Sequence, residues 1–267
     1  MTAAPQSPLS KALADIAQGV SSIHVWPMLG WLEIKQRYRR SLLGPFWVTI
    51  STATLIGGMG PLYGTLLGQK LATYFPHLAV SYIVWMLMAS LMNDACTTFT
   101  IAEGLIKQIR MPLSIHVLRM VWRNFIIFLH QIPIVVAVLY FYPPPLHAGL
   151  LLVPVALLAI AVNALWMGLL LGMLCARFRD IPQIVASVVQ VMFFLTPVLY
   201  HAGSLGRFDW AAKWNPLNHL LEIVRAPLLG HPVPYQSWAA VAILTCAGYA
   251  FAITVFARYR SRVAYWV

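Results

Sequence analysis

Long apolar runs separated by short polar stretches set the pattern of this chain. Six runs are long enough to cross a bilayer, at about 45–68, 78–101, 115–141, 149–175, 182–200 and 236–257. A helix rising 1.5 Å per residue needs about 20 mostly apolar residues to span a hydrocarbon core of roughly 30 Å. Lipid offers no partner to backbone groups, and a helix pairs its own. The pattern therefore predicts an all-α polytopic membrane protein with six transmembrane helices. The expected organisation is a flexible N-terminus over 1–25, an interfacial amphipathic helix over 26–43, one six-span domain over 44–257 and a basic tail over 258–267.

Three segments break the plain alternation of span and loop. Residues 26–43, WPMLGWLEIKQRYRRSLL, mix Trp26, Met28, Leu29, Trp31, Leu32 and Ile34 with four cations. Such a segment suits a helix lying in the membrane interface. In the loop EGLIKQIRMP, Glu103, Lys107 and Arg110 are spaced to share one face of a short helix that Pro112 stops. The stretch 201–235 contains His201, Arg207, Asp209, Lys213, His219, Glu222, Arg225 and His231, yet NHLLEIVRAPLLG keeps a helical period. Short re-entrant helices over 201–230 are expected, because irregular backbone at membrane depth survives only inside protein or beside water. Glu222 and Arg225, three apart, are placed to pair.

Within the spans, Gly60, Gly64 and Gly68 recur every four residues and allow close helix approach, either inside the chain or across a dimer seam. Gly168 and Gly172 read as packing positions. His130 reads as a packing residue in the third span, with a proton relay as its functional alternative. Cys96, Cys175 and Cys246 read as buried small residues, since no disulfide framework or CxxC is present. Residues 1–30 hold no sustained apolar core, so no secretory signal is expected.

Composition sharpens the class. Hydrophobic residues make up 60% of the 267 and charged residues 9%, too few to give a soluble fold a water-facing surface. The net charge of +11 is unevenly distributed. With the N-terminus inside, the cytoplasmic side receives Lys11, Lys35, Arg37, Arg39, Arg40, Lys107, Arg110, Arg119, Arg123, Arg177, Arg179, Arg258, Arg260 and Arg262. Only Lys70, Arg207, Lys213 and Arg225 fall outside. This bias follows the positive-inside rule, gives both termini a cytoplasmic address and accounts for the charge without nucleic acid. Anionic headgroups would also attract it.

No GxxxxGK[ST], HExxH, GxSxG or EF-hand pattern occurs, so neither nucleotide binding by a P-loop nor metal or nucleophile catalysis is expected on this chain. No acidic residue falls at the centre of a span, where ion-coupled carriers place carboxylates. A membrane device without an energy site of its own takes its energy from a partner. An enzyme acting on lipid-linked sugars is the competing class, with His201, Asp209, His219, Glu222 and His231 as its groups. Such a site wants two carboxylates at a defined separation.

Four motifs in order, RYRRSLLGPFW at 37–47, EGLIKQIRMP at 103–112, RFRDIP at 177–182 and WNPLNHLLEIVRAPLLG at 214–230, resemble the membrane subunits of type-2 ABC exporters. The resemblance runs from about residue 30 onward and is nearest to exporters of O-antigen, capsular polysaccharide or teichoic acid. It implies a homodimer in the bacterial inner membrane, with two cytoplasmic ATPase subunits that bind ATP and magnesium. No cofactor would sit on this chain itself. It also implies that Glu103, Lys107, Arg110, Arg177, Arg179 and Asp180 meet the ATPase. The cargo would be a lipid-linked glycan moved outward, or, as the alternative, a small lipid or drug-like molecule. A sliding glycan needs aromatic faces that hold no single sugar tightly, for which Trp47, Tyr63, Phe193, Phe194, Tyr200 and Trp214 are candidates; His219, Glu222 and Arg225 would belong to the outer gate. Arg37, Arg39 and Arg40 suit a pyrophosphate headgroup through their forked donors, with ordinary anionic lipid as competitor.

Overall fold

The computed structural model describes residues 7–145, 147–201, 206 and 209–267, and every regular element in them is helical. Helix α1 (Pro8–Ser21) begins where the Ser7 hydroxyl accepts from the Ser10 N–H at 3.1 Å, with Pro8 pre-set in the first turn. The N-terminus over 1–25, expected to be flexible, thus contains a helix over 8–21 that packs against the helices Ser114–Leu129 and Tyr235–Tyr259. Its buried residues Ala12, Asp15 and Gly19 lie at spacings of three and four, one face of a helix. Helix α2 (Val25–Arg37) follows and stops short of the expected 43, so Arg39 and Arg40 fall in the turn beyond it.

The bundle proper comprises α3 (Phe46–Leu66), α4 (Leu71–Ile101), a short α5 (Glu103–Gln108), α6 (Ser114–Leu129) continued by α7 (Ile132–Phe141), and α8 (Val153–Arg177). Then come α9 (Ile181–Leu195), α10 (Asp209–Trp214), α11 (Pro216–Leu228), α12 (Tyr235–Tyr259) and α13 (Val263–Trp266). Among the described residues, four helical stretches are long and apolar enough to cross a membrane: Leu71–Gln108, Ser114–Phe141, Ala148–Arg177 and Tyr235–Trp266. Helix α9 is apolar but has 15 residues, about 22 Å by helical rise. Helix α3 is long enough, yet Gly, Thr and Ser dilute its apolar character.

Helix α4 is the central post. Tyr74, Leu78, Ile83, Leu91 and Phe99 along it are all fully or almost fully buried, and α3, α6, α7, α8, α9 and α11 pack around it. Glycines make the closest approaches: Gly172 of α8 faces the Phe99 ring, and Gly60 of α3 faces Phe75 of α4. Gly60 and Gly64 therefore serve packing within the chain. Gly68 stands apart, ending α3 with φ +63°, a left-handed cap that glycine adopts without strain. Cys96 and Cys175 are buried as expected, whereas Cys246 is exposed on α12.

The third apolar run is not one smooth helix. It breaks at His130–Gln131, ahead of Pro133, which has no N–H to continue the ladder. Thr49 of α3 donates to the freed His130 carbonyl at 2.6 Å, and the imidazole bonds the Ile126 carbonyl and meets Phe46 edge-on. His130 is a packing residue at a helix break.

Candidate functional site

Charged residues gather at two opposite ends of the bundle. At the end where α4 passes into α5, helix α2 lies against α6. Glu33 of α2 forms an ion pair with Arg119 at 2.9 Å and a second, closer pair with Arg123. Arg123 also pairs with Asp94 of α4 at 2.6 Å, and Asn124 donates to the same carboxylate at 2.9 Å. Both arginines are buried. Two cations on adjacent turns are thus matched by two anions from different helices, which offsets the cost of taking them from water. Trp26 packs edge-on to Trp122 beside them.

A second anchor at this end is Asp15 of α1. Its carboxylate accepts from the backbone N–H groups of Leu113 and Ser114 at 3.2 and 3.1 Å and from the Ser114 hydroxyl at 2.9 Å. It thereby caps α6, satisfying donors that the first helical turn leaves unpaired. Arg260, just beyond α12, completes the group with an ion pair to Asp15 at 3.0 Å and a bond to the Lys11 carbonyl at 2.9 Å. One buried acid therefore joins the N-terminal helix, the segment after α5 and the end of α12.

Among the residues singled out for this end, Glu103 and Lys107 pair at 2.6 Å on α5 and are half exposed. Arg110 lies past the helix, in extended chain, so it does not share their helical face. Arg177 closes α8 with its guanidinium over the rings of Phe178 and Trp266, at 5.3 and 5.2 Å. Arg179 reaches the Trp266 carbonyl at 3.5 Å, and Asp180 precedes α9 without capping it through its side chain. Arg37, Arg39 and Arg40 are exposed and form no ion pair among the described residues.

The other end is built around Arg225 of α11. Its Nε donates to Glu222 at 3.0 Å, with a second pairing through Nη2, while Nη1 donates to Ser81 of α4 at 3.2 Å and to the Pro197 carbonyl. The spacing-based pairing of Glu222 with Arg225 is present. The chain after α9 is further held by Tyr74, donating to the Leu199 carbonyl at 2.8 Å, and His77, donating to that of Tyr200 at 3.1 Å. Asn215 both caps α11 and donates to Thr196 at 2.8 Å. His219 has both ring nitrogens engaged: Nε2 donates to the Lys213 carbonyl, so Nδ1 accepts from Ser237. Burial, with Arg225 and His231 nearby, holds the His201 imidazole below the usual histidine range. Glu222 and His219 are committed to structural bonds, so in the set considered for an enzyme on lipid-linked sugars Asp209 is left as the one acid without such a bond among the described residues. Arg207 lies outside the described residues.

The aromatic candidates are not gathered into one cavity within the chain. Trp47, Phe194 and Trp214 are exposed; Phe193 packs inward against Tyr82 and Trp85 of α4; Tyr63 and Tyr200 are half-buried. Tyr200 donates to the Phe194 carbonyl at 2.9 Å. Helices α3 and α9 both rest on α4 and leave outward apolar rows, including Ile50, Leu55 and Leu62 on α3 and Ile184, Val188 and Val191 on α9.

Asp15, Glu33, Asp94, Arg119 and Arg123 escaped the sequence reading as a site. Arg119 and Arg123 did carry a signal: two cations four apart inside an apolar run need buried anions.

The described residues hold no group of side chains able to bind a metal ion, and the charges at both ends brace helices against one another. Residues 25–229 match the family model described as ABC-2 type transporter, and the chain belongs to this family. It is accordingly an ABC transporter membrane subunit, a transport permease and not an enzyme, and ATP hydrolysis is carried by a separate subunit. The chain is similar to the O-antigen export system permease protein RfbA of Klebsiella pneumoniae, 22% identical over 223 residues, covering 83% of this chain and 85% of that protein. A second Klebsiella pneumoniae protein of the same name is 23% identical, covering 71% and 74%. The one from Myxococcus xanthus is 24% identical, covering 76% and 79%.

Proposed function

We propose that this chain forms the membrane conduit of an exporter that moves a lipid-linked polysaccharide from cytoplasm to periplasm across the bacterial inner membrane. The observation that carries this reading is that three relatives named as O-antigen export permeases align with most of the chain and most of their own length. Two copies pair, and two ATP-binding subunits dock on the cytoplasmic face. Helices α3, α4, α6–α7, α8, α9 and α12 make six passes with both termini inside; α9 reaches full depth together with the irregular segment after it. Helices α10 and α11 are the re-entrant outer gate, braced by Glu222, Arg225 and His219.

The two copies meet along α3 and α9, whose outward rows pack helix against helix by van der Waals contact. Trp47, Tyr63, Phe194, Tyr200 and Trp214 lend the conduit its aromatic faces, and Phe193 backs them from within. The exposed arginines Arg37, Arg39 and Arg40 receive the phosphates of the lipid carrier at the inner leaflet. Glu103, Lys107 and Arg110, with the loop at Arg177, Arg179 and Asp180, take up motion from the ATPase and pass it through α2 and α1.

The test is export in cells lacking the chain. Surface glycan should disappear while lipid-linked glycan accumulates inside, and returning the chain should restore both. Unchanged surface glycan with loss of a small lipid or drug efflux would contradict the proposed cargo.

A further inference from the structure

A groove of about 670 Å³ lies between α8 and α12 at the end of the bundle that carries Asp15 and α5. Leu170 and Leu174 of α8 form one wall, Phe251 and Val255 of α12 the other, and Trp266 closes one end. Leu174 and Phe251 are exposed, so the groove opens sideways from two helices that are long and apolar enough to cross a membrane. Two cations stand at its polar end. Arg177 lies over Phe178 and Trp266, and Arg262 lies 5.9 Å from the ring of Tyr259. Neither forms an ion pair among the described residues. By contrast, neighbouring Arg260 is spent on Asp15.

We propose that this groove is a binding site for an anionic phospholipid of the inner leaflet. Its phosphate lies between Arg177 and Arg262, and one acyl chain lies along the α8–α12 wall. Guanidinium groups stacked on aromatic rings keep their N–H edges free, and those edges match phosphate oxygens as a fork. Basic pockets between membrane helices at a helix end are a recognised form of headgroup site. From Leu170 to Arg177 is about two turns, roughly 11 Å, enough to hold the upper part of one acyl chain. The site is separate from Arg37, Arg39 and Arg40, which are proposed above to receive the phosphates of the lipid-linked cargo. Lipid here would tie the end of α12 and α13 to α8, next to the loop at Arg179 and Asp180.

The test uses the full chain purified in detergent, with native mass spectrometry during titration by phosphatidylglycerol or by phosphatidylcholine of the same acyl chains. The wild type should retain phosphatidylglycerol preferentially. The R177Q/R262Q variant should lose about 30-fold of that preference, the effect of two basic residues at an anionic lipid surface. R177K/R262K should keep part of it. Leu174→Trp, which fills the groove while sparing both arginines, should weaken both lipids. Should the double variant fail to fold, the single R262Q variant, altered at an exposed position, carries the same test with a smaller loss. Equal retention of the two lipids by wild type, or an undiminished preference in R177Q/R262Q, overturns the proposal. So does full displacement of lipid by soluble glycerol phosphate, which would mark an anion site without a chain-binding groove.

Discussion

Asp15 and Ser114, 99 positions apart, are joined through both backbone and side chain: the Asp15 carboxylate accepts from the Ser114 N–H and hydroxyl, and the same hydroxyl lies 2.8 Å from the Asp15 carbonyl. Asp15 is almost wholly buried. Asp15→Asn keeps the size but removes the charge facing Arg260 and the first turn of α6. Loss of a helix cap costs about 1–2 kcal/mol, and the lost ion pair adds to it. Thermal unfolding of the purified chain should shift down accordingly. Ser114→Ala should cost less, since two backbone donors still reach the carboxylate.

The Glu33–Arg119–Arg123–Asp94 group predicts an asymmetry between its two acids. Glu33 serves both arginines, whereas Asp94 serves Arg123 and Asn124. Glu33→Gln leaves Arg119 without its anion and should destabilise by about 3–5 kcal/mol, the usual penalty for orphaning a buried charge. A double-mutant cycle between Glu33→Gln and Arg119→Gln should show strong coupling. Independent, additive losses would mean that the two side chains do not act together.

At the opposite end, Arg225 and Glu222 are unequal partners. Arg225→Ala removes the contacts to Ser81 and Pro197 as well as the ion pair and should impair assembly. Glu222→Gln retains an acceptor for Nε, so the fold should survive and transport should change. Detergent-resistant yield and export, measured side by side, separate the two effects.

On α5 the pair Glu103–Lys107 is exposed, and such pairs contribute little to folding. Reversing it as E103K/K107E should leave the unfolding temperature unchanged. The ATPase rate of the complex should nevertheless fall, because a docking face has changed sign. An unaltered rate would remove α5 from the ATPase contact.

Much of this architecture was legible because lipid forces the pattern. Apolar runs gave the long helices, and the spacing of Glu222 and Arg225 gave their pairing. The break at His130 has no local signal beyond Pro133, and a proline inside a span is tolerated where neighbouring groups re-satisfy the freed backbone. Nor was the docking of α1: Asp15 stands in a polar segment whose partner lies 98 positions away, and no local periodicity encodes that contact. The Glu33 network escaped for the same reason, although Arg119 and Arg123 inside an apolar run called for buried partners. The aromatic path candidates shared a composition but no geometry, and the chain places Phe193 inside and Phe194 outside.

The account rests on this chain being a conduit driven by hydrolysis on another subunit. The most direct measurement reconstitutes it in vesicles with and without its ATP-binding partner and follows lipid-linked glycan across the bilayer. Translocation should occur with the partner and ATP together, and the chain alone should neither consume ATP nor move glycan. ATP turnover by the chain alone, or glycan transfer that persists without nucleotide, would contradict it.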